Sequence, residues 1–212
     1  MILPNFITFT GVDEWTDEQK MVDLSKKYSI EWGILFSPFN QGKKNRYPAL
    51  EHLKRFLDTK GLRFSAHLCG KYSTSIMNGI IPELYLDNTK FSRSQINSVS
   101  PDIKMISAFS NSMGIRCIAQ TRGKTFPKNS SIDWLYDTSG GRGQEPENWP
   151  KFPNDGRLVG YAGGIGPDNV LGILEKINAR GRYWIDMESK IRTDDKLDLD
   201  LCEEVCRKVY DR

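Results

Sequence analysis

Short apolar runs alternate along the chain with longer stretches in which apolar residues recur at helical spacing. The apolar runs predict eight strands, over residues 6–10, 31–37, 62–69, 91–98, 115–120, 131–137, 157–163 and 182–188. The helical stretches predict helices within 17–29, 48–61 and 101–114, from Pro167 onward, and within 198–211. Residues 71–90 and 138–156 follow neither pattern, and we expect irregular segments there.

The order of these elements indicates the fold class. Strands that alternate with helices pair in parallel, and eight such units in 212 residues predict an α/β chain folded as one (β/α)8 barrel, with a single domain over 1–212. A doubly wound open sheet is the alternative, and it carries a glycine-rich phosphate loop after its first strand. Here Thr10-Gly11-Val12 ends the first strand, and the glycine-rich turns follow the sixth and seventh strands. Late glycine-rich turns favour the barrel, whose phosphate site often lies near its last strands.

Composition narrows the class of function. The 30 basic and 27 acidic residues give a net charge of +3 without a clustered basic face, which argues against nucleic acid as a partner. No apolar stretch approaches the roughly 18 residues of a membrane span, and the apolar start lacks a basic leader. We therefore expect a cytoplasmic protein without membrane association.

Four cysteines lack the paired spacing of a metal or redox motif: Cys69, Cys117, Cys202 and Cys206. Cys202 and Cys206 stand one helical turn apart, which suits either a metal or a helix face that packs on the core. Because no histidine is near, the core is the favoured interpretation. We expect reduced thiols, no metal and no cofactor.

The seventh strand ends in the sequence AGGIGPDN, which suggests a phosphate site. Gly163 and Gly164 leave peptide N–H groups open to close approach. With Gly166 as the N-cap and Pro167 in the first turn, the following helix would direct its positive end at the same point. A tight strand-to-helix turn would use the same residues for geometry alone.

The sixth strand ends with a second glycine-rich turn. Asp137 stands at the predicted mouth of the barrel and is followed by Gly140, Gly141, Arg142 and Gly143. Two such turns on neighbouring strands strengthen the prediction of a phosphate cradle, and Arg142 adds a charge that suits phosphate. Asp137 could instead cap the turn.

The eighth strand and the loop after the second strand add further candidates. Asp186 and Glu188 should share one face of their strand. Ser189 and Lys190 could complete the phosphate site or belong to an exposed loop. Arg46, in a loop long enough to fold over the mouth, could recognise an anion or be solvated.

In this order, the motifs resemble phosphoribosylanthranilate isomerase, an enzyme of tryptophan biosynthesis. The most specific match is GYAGGIGPDNV, and the others are ITFTGVDEWTD, WGILFSP, NRYP, SQINS, YDTSGGRG and WIDMESKIRTDDKLDL. The resemblance covers almost the whole chain and implies a TIM barrel of the ribulose-phosphate-binding type. It also implies an Amadori rearrangement, which is an aldose–ketose isomerisation of a small phosphorylated ligand, and it allows a homodimer.

The resemblance also assigns roles to individual residues. Asp137 matches the general acid, and Arg46 matches an arginine that faces the substrate. The phosphate site matches Gly141, Gly143, Gly163, Gly164, Ser189 and Lys190. At the position of the catalytic base, a cysteine in the family, this chain has Thr10, and a hydroxyl is a poor base without an activator.

Other residues could replace the missing base. His67 and Glu188 should point into the barrel near the ends of their strands, and either could titrate near neutrality if partly buried. Cys69 is a further candidate, and all of these could instead be polar residues that line the barrel. The sequence therefore predicts a divergent sugar-phosphate isomerase or a related lyase or epimerase. The alternative is a non-catalytic barrel that binds a phosphorylated ligand or regulates another protein.

Overall fold

The structure, a computed structural model, describes residues 2–83, 87–140 and 142–211, with only the backbone at position 88. Eight parallel strands form a closed barrel, in which β1 pairs with both β2 and β8. The strands are β1 Phe6–Thr10, β2 Ile30–Phe36, β3 Phe64–Leu68, β4 Phe91–Ile96, β5 Arg116–Thr121, β6 Asp133–Tyr136, β7 Val159–Ala162 and β8 Tyr183–Met187. The predicted barrel is confirmed, and the open sheet is excluded.

Six α-helices surround the barrel: α1 Glu18–Lys27, α2 Leu50–Leu57, α3 Lys71–Met77, α4 Ile103–Met113, α5 Val170–Ile177 and α6 Leu199–Tyr210. Aspartate side chains cap three of them, since Asp17, Asp102 and Asp198 accept backbone N–H groups of the first turns of α1, α4 and α6. Gly114, at φ +62°, ends α4 as the sequence predicted.

Two local predictions are corrected by the structure. Residues 71–90 were expected to be irregular, but they begin with α3, which follows Gly70 at φ +59°. The helix after β7 begins at Val170 with Asn169 as its N-cap, not at Pro167 with Gly166 as its N-cap. A turn over 167–169 precedes it, in which the Gly166 carbonyl accepts from the Val170 N–H.

No α-helix follows β5 or β6 within the described residues, and aromatic side chains cover this side of the barrel instead. Phe126 meets the ring of Tyr161 edge-on with centroids 5.3 Å apart, and Trp149 lies 6.1 Å from the same ring. Trp149 also packs 5.9 Å from Tyr136. The two connecting loops therefore bury the outward face of β6 and β7, as an apolar helix face would do.

Inside the barrel, an aromatic pair separates the two ends. Phe6 and Trp184 stack with centroids 5.9 Å apart, and a Cβ at Gly160 would lie 2.3 Å from the Trp184 ring. Towards the amino ends of the strands, Arg93 binds the buried Glu31 with Nη2–Oε1 at 2.6 Å. The interior at the carboxyl ends stays open, which is where the candidate site lies.

A short hairpin after β8 packs beside β1 at the carboxyl end. It consists of β9 Arg192–Thr193 and β10 Lys196–Leu197. Arg192 donates to the Gly11 carbonyl at 2.7 Å and to Asp13 Oδ2 at 2.8 Å. The fully buried Asp13 also accepts from the Leu197 N–H at 2.7 Å, so the hairpin is anchored by charge and backbone together.

Cys202 and Cys206 on α6 are fully buried in the hydrophobic core, as the favoured interpretation of their spacing predicted. Among the described residues, no group of three or more His, Cys, Asp or Glu side chains could hold a metal ion. Within the same part of the chain, no helix has the length and apolar character needed to cross a membrane.

Candidate active site

A cavity of about 650 Å³ opens at the carboxyl ends of the strands, and all eight strands or their end loops contribute to its lining. The sequence-predicted residues that line it are Thr10, Arg46, His67, Asp137, Gly143, Gly163, Gly164, Glu188, Ser189 and Lys190. Gly141 lies outside the described residues. Arg142 does not line the cavity, because its exposed side chain donates through Nε to the Ser139 carbonyl at 3.1 Å. Arg122, which the sequence analysis did not single out, lines the cavity instead.

The most deeply buried carboxyl group of the cavity belongs to Asp186. Its Oδ1 accepts a hydrogen bond from Thr10 Oγ1 at 2.8 Å. Burial raises the pKa of Asp186 well above its usual value, and the negative charges of Glu188 and Asp137 raise it further. Thr10 is therefore a hydrogen-bond donor to this carboxyl group.

Sequence reasoning placed Asp186 on the same strand face as Glu188 but gave it no role. Strand alternation could have identified Asp186 as a residue of the barrel interior, because β8 directs every second side chain into the barrel. The register confirms the position, since Thr8 and Ala162, on the strands either side of β8, both pair with Asp186.

Asp137 serves the turn and the cavity at once. Its Oδ1 accepts from the Ser139 N–H at 2.8 Å and from the Ser139 hydroxyl at 2.7 Å, so the side chain caps the turn after β6. Its Oδ2 accepts from Gln120 Nε2 at 3.2 Å. The two interpretations that the sequence left open for Asp137 are thus compatible.

His67 was expected to titrate near neutrality if partly buried, and the structure buries it almost completely. The ring is buried inside the barrel, with Nε2 3.1 Å from Ser65 Oγ. Burial lowers the pKa of His67 to about 4, with the nearby Arg93 charge acting in the same direction and Glu31 opposing it. The imidazole is neutral at pH 7 and is a weak base there.

Glu188 and Arg46 form an ion pair at the mouth of the cavity. Arg46 Nη1 lies 2.6 Å from Glu188 Oε1, and Nη2 lies 2.5 Å from Asp195 Oδ1 on the hairpin after β8. Burial raises the pKa of Glu188, while the guanidinium of Arg46 opposes that shift. Arg46 is thus held by two carboxylates of its own chain.

Cys69 lies in the cavity as a protonated thiol. Burial raises its pKa, and Asn97 Nδ2 donates to its Sγ at 3.0 Å. A thiol in this state is a poorer nucleophile and base than a thiolate, so Cys69 is poorly suited to act as the base near neutral pH.

The glycines of the predicted phosphate cradle allow three loops to interlock. A Cβ at Gly164 would lie 2.5 Å from the Glu145 backbone nitrogen, and one at Gly143 would lie 2.7 Å from Ser189 Cβ. A Cβ at Gly166 would lie 2.5 Å from Lys190 Cβ. Close packing of the loops after β6, β7 and β8 therefore accounts for part of the glycine content, as the alternative interpretation of this turn allowed.

The packed loops still leave hydrogen-bond donors at the cavity. Within the described residues, the backbone N–H groups of Gly164 and Ile165 donate no hydrogen bond, and the Ser189 hydroxyl and Lys190 ammonium have no partner there. The Gly166 N–H is taken by Asn169 Oδ1 at 2.9 Å. These donors, two of them backbone amides, suit the oxygens of one phosphate group.

Comparison with known proteins gives the fold independently. No family model matches the chain, and no curated protein matches it. Among solved structures, phosphoribosylanthranilate isomerase from Thermotoga maritima is 14% identical over 100% of both chains, with a TM-score of 0.64. The enzyme from Pyrococcus furiosus is 15% identical over 98% of this chain and 99% of its own, with a TM-score of 0.61.

The chain has the barrel fold of the phosphoribosylanthranilate isomerases. The resemblance first drawn from the motifs is confirmed at this level. A third structure of such an enzyme, 12% identical over 100% of both chains with a TM-score of 0.62, holds reduced 1-(o-carboxyphenylamino)-1-deoxyribulose 5-phosphate. At these identities the likeness establishes the fold and not the chemistry.

Proposed function

We propose that the cavity binds a small phosphorylated sugar and that the protein catalyses an intramolecular aldose–ketose isomerisation. One observation carries the proposal. A buried carboxyl group, Asp186, shares the cavity with Asp137 and with donors of Gly164, Ile165 and Ser189 that have no partner among the described residues. Two proton-handling groups and a phosphate anchor are the parts that such a reaction needs.

The phosphate anchor fixes the reacting carbons. The donors lie at the ends of β7 and β8, so a bound phosphate would sit at one side of the cavity and direct the sugar across it. Holding the sugar in one orientation turns proton transfer into a step between fixed groups, which is a large part of the catalytic effect.

Asp137 and Asp186 then divide the proton transfers. Asp137, in its protonated form, gives its proton to the ring oxygen of the sugar and takes up the proton of the C1 hydroxyl, so the bond from C1 to the ring oxygen breaks and the open-chain aldehyde forms. Asp186 takes the proton from C2 and returns a proton to C1, while the proton of the C2 hydroxyl moves to the C1 oxygen, so the aldehyde becomes a ketone with no external oxidant. Thr10 occupies only Oδ1 of Asp186, and among the described residues Oδ2 has no hydrogen-bond partner. The raised pKa of Asp186 makes its ionised form a stronger base than an exposed aspartate.

A non-catalytic barrel that binds a phosphorylated ligand is the second candidate. The observation that favours it is the state of Arg46, which is already paired with Glu188 and Asp195. In that arrangement the cavity keeps its phosphate donors, but the guanidinium of Arg46 is not free to bind a substrate. The cytoplasmic location stays a prediction from the composition of the chain, and the homodimer and the role in tryptophan biosynthesis stay predictions from the family resemblance.

The proposal is tested by solvent exchange. Wild-type protein in D2O is incubated with pentose and hexose phosphates and with phosphoribosylanthranilate, and deuterium at C1 and C2 is followed by NMR. We expect incorporation that Asp137→Asn and Asp186→Asn both abolish. Asp23→Asn, a change at an exposed carboxylate on α1, is the control and should leave the rate unchanged. Binding without exchange would favour the non-catalytic barrel, and no binding of any phosphate ester would overturn both candidates.

A further inference from the structure

The wall of the cavity that faces the phosphate donors carries three amide side chains. Gln95 and Asn97 come from β4 and the residue that follows it, and Gln120 comes from β5. In an eight-stranded barrel β4 lies four strands from β8, so this amide wall stands across the cavity from Ser189. A ligand anchored by its phosphate at β7 and β8 extends its other end towards the amide wall.

The amides are ordered by hydrogen bonds among themselves and with neighbours. Gln95 Nε2 donates to Asn97 Oδ1 at 2.8 Å, and Asn97 Nδ2 donates to Cys69 Sγ at 3.0 Å. Gln120 Nε2 donates to Asp137 Oδ2 at 3.2 Å. Each amide nitrogen of the wall therefore has one of its two N–H donors engaged by the protein.

Two acceptors of the amide wall, the side-chain oxygens of Gln95 and Gln120, are not engaged within the described residues. Gln95 is buried, and its Oε1 has no hydrogen-bond partner. Gln120 Oε1 also accepts no hydrogen bond from the described residues. A buried amide oxygen without a partner destabilises the empty site, and a hydroxyl donor on a ligand would remove that penalty.

The same surface is poorly suited to an aromatic ring. Within the described residues, Tyr47 is the aromatic side chain that lines the cavity. A ring laid on the amide wall would desolvate the oxygen of Gln120 and would give neither that oxygen nor the buried oxygen of Gln95 a hydrogen bond.

We propose that the site selects an unsubstituted sugar phosphate, whose hydroxyl groups donate to the amide wall, over a phosphoribosylated aromatic amine. This inference rests on the proposed phosphate site. It further specifies the chemical class of the part of the ligand that lies away from the phosphate. It also assigns Gln95 and Gln120 as specificity-determining residues, through acceptor oxygens that a hydroxylated chain satisfies and an aryl group leaves unpaired.

Calorimetric titration with three probes tests this selectivity. The probes are inorganic phosphate, ribulose 5-phosphate and reduced 1-(o-carboxyphenylamino)-1-deoxyribulose 5-phosphate. We expect ribulose 5-phosphate to bind about tenfold or more tightly than inorganic phosphate, and the aryl compound to bind no more tightly than ribulose 5-phosphate. An aryl compound that binds about tenfold more tightly than ribulose 5-phosphate would overturn the inference while leaving the phosphate site intact. No binding of any probe would overturn the phosphate site and the inference with it.

Amide-to-leucine variants test the two residues directly. Gln120→Leu and Gln95→Leu should each weaken ribulose 5-phosphate about tenfold and leave inorganic phosphate unchanged. Gln19→Leu, at an exposed position of α1, is the matched control and should change neither. Because Gln95 is buried, thermal unfolding verifies that its variant folds, and the half-buried Gln120 gives a second readout. Unchanged affinity for ribulose 5-phosphate in a folded Gln120→Leu variant would contradict the inference.

Discussion

Substitution of Gly164 by alanine separates loop packing from backbone strain at the proposed phosphate site. Gly164 has φ +63°, and an added Cβ would lie 2.5 Å from the Glu145 nitrogen and 2.8 Å from the Gln144 carbonyl carbon. Both neighbours are backbone atoms, so the loop after β6 has to move by about 1 Å to restore an ordinary contact. Gly114 has nearly the same φ, +62°, and nothing lies within 4 Å of its Cβ position.

The two variants share the backbone strain of an alanine at positive φ, and only Gly164→Ala adds a steric clash with a neighbouring loop. An alanine in the left-handed region costs about 1–2 kcal/mol, and about 1 kcal/mol shifts the melting temperature of a chain of this size by roughly 2–4 °C. Gly114→Ala should therefore melt a few degrees lower and bind ribulose 5-phosphate with unchanged Kd. Gly164→Ala should melt at least as much lower, with a Kd about tenfold weaker or more, because the displaced loop carries the contact between Gly143 and Ser189.

Calorimetry and circular dichroism on the same preparations give both quantities. If Gly164→Ala lost stability but kept its Kd within about twofold of the wild type, the interlocked loops would not be the phosphate site. If Gly114→Ala weakened binding to the same extent, the effect at Gly164 would reflect general destabilisation.

Three further predictions concern buried ionisable groups. Asp186→Asn should raise the melting temperature at pH 7–9 but not at pH 3.5. Because the pKa of Asp186 is higher in the folded protein than in the unfolded chain, the wild type loses stability as the pH rises above the unfolded-chain pKa. An unchanged melting temperature of the variant at pH 8 would contradict this. The free energy of unfolding of the wild type should fall by about 3 kcal/mol between pH 6.5 and pH 4, and His67→Gln should remove that fall. Urea unfolding measures it, and an unchanged pH profile in the variant would show that His67 is not the cause. Glu31, with its pKa lowered to about 2 mainly by Arg93, should stabilise the fold above pH 4.5 and lose that effect as pH falls towards 2. Glu31→Gln should therefore cost about 3 kcal/mol at pH 7 and little at pH 2, and an equal cost at both would count against the ion pair.

The barrel could be predicted because its signal is local and repeated. Each strand is an apolar run with its own turn residues, and the aspartate caps Asp17, Asp102 and Asp198 mark helix starts in the sequence itself. Alternation along β8 was enough to place Asp186 and Glu188 on the inner face. Helix α3 was missed because its sequence, KYSTSIM, is short and rich in serine and threonine, which compete with the backbone for hydrogen bonds.

The site was less predictable because its properties depend on residues far apart in the chain. The sequence shows a glycine at position 164 but not the Glu145 backbone that fills the space beside it. The low pKa of His67 results from burial and from the charge of Arg93 on the next strand. Pairing of Arg46 with Asp195 depends on a hairpin that has no regular pattern of its own.

The central claim is that the loops after β6, β7 and β8 hold a phosphate and present the attached sugar to Asp137 and Asp186. A crystal structure with ribulose 5-phosphate measures this directly. The account predicts phosphate oxygens within hydrogen-bond distance of the Gly164 and Ile165 nitrogens, with the first two sugar carbons between the two carboxyl groups. A phosphate bound elsewhere, or a sugar carbon chain that reaches neither carboxyl group, would contradict it.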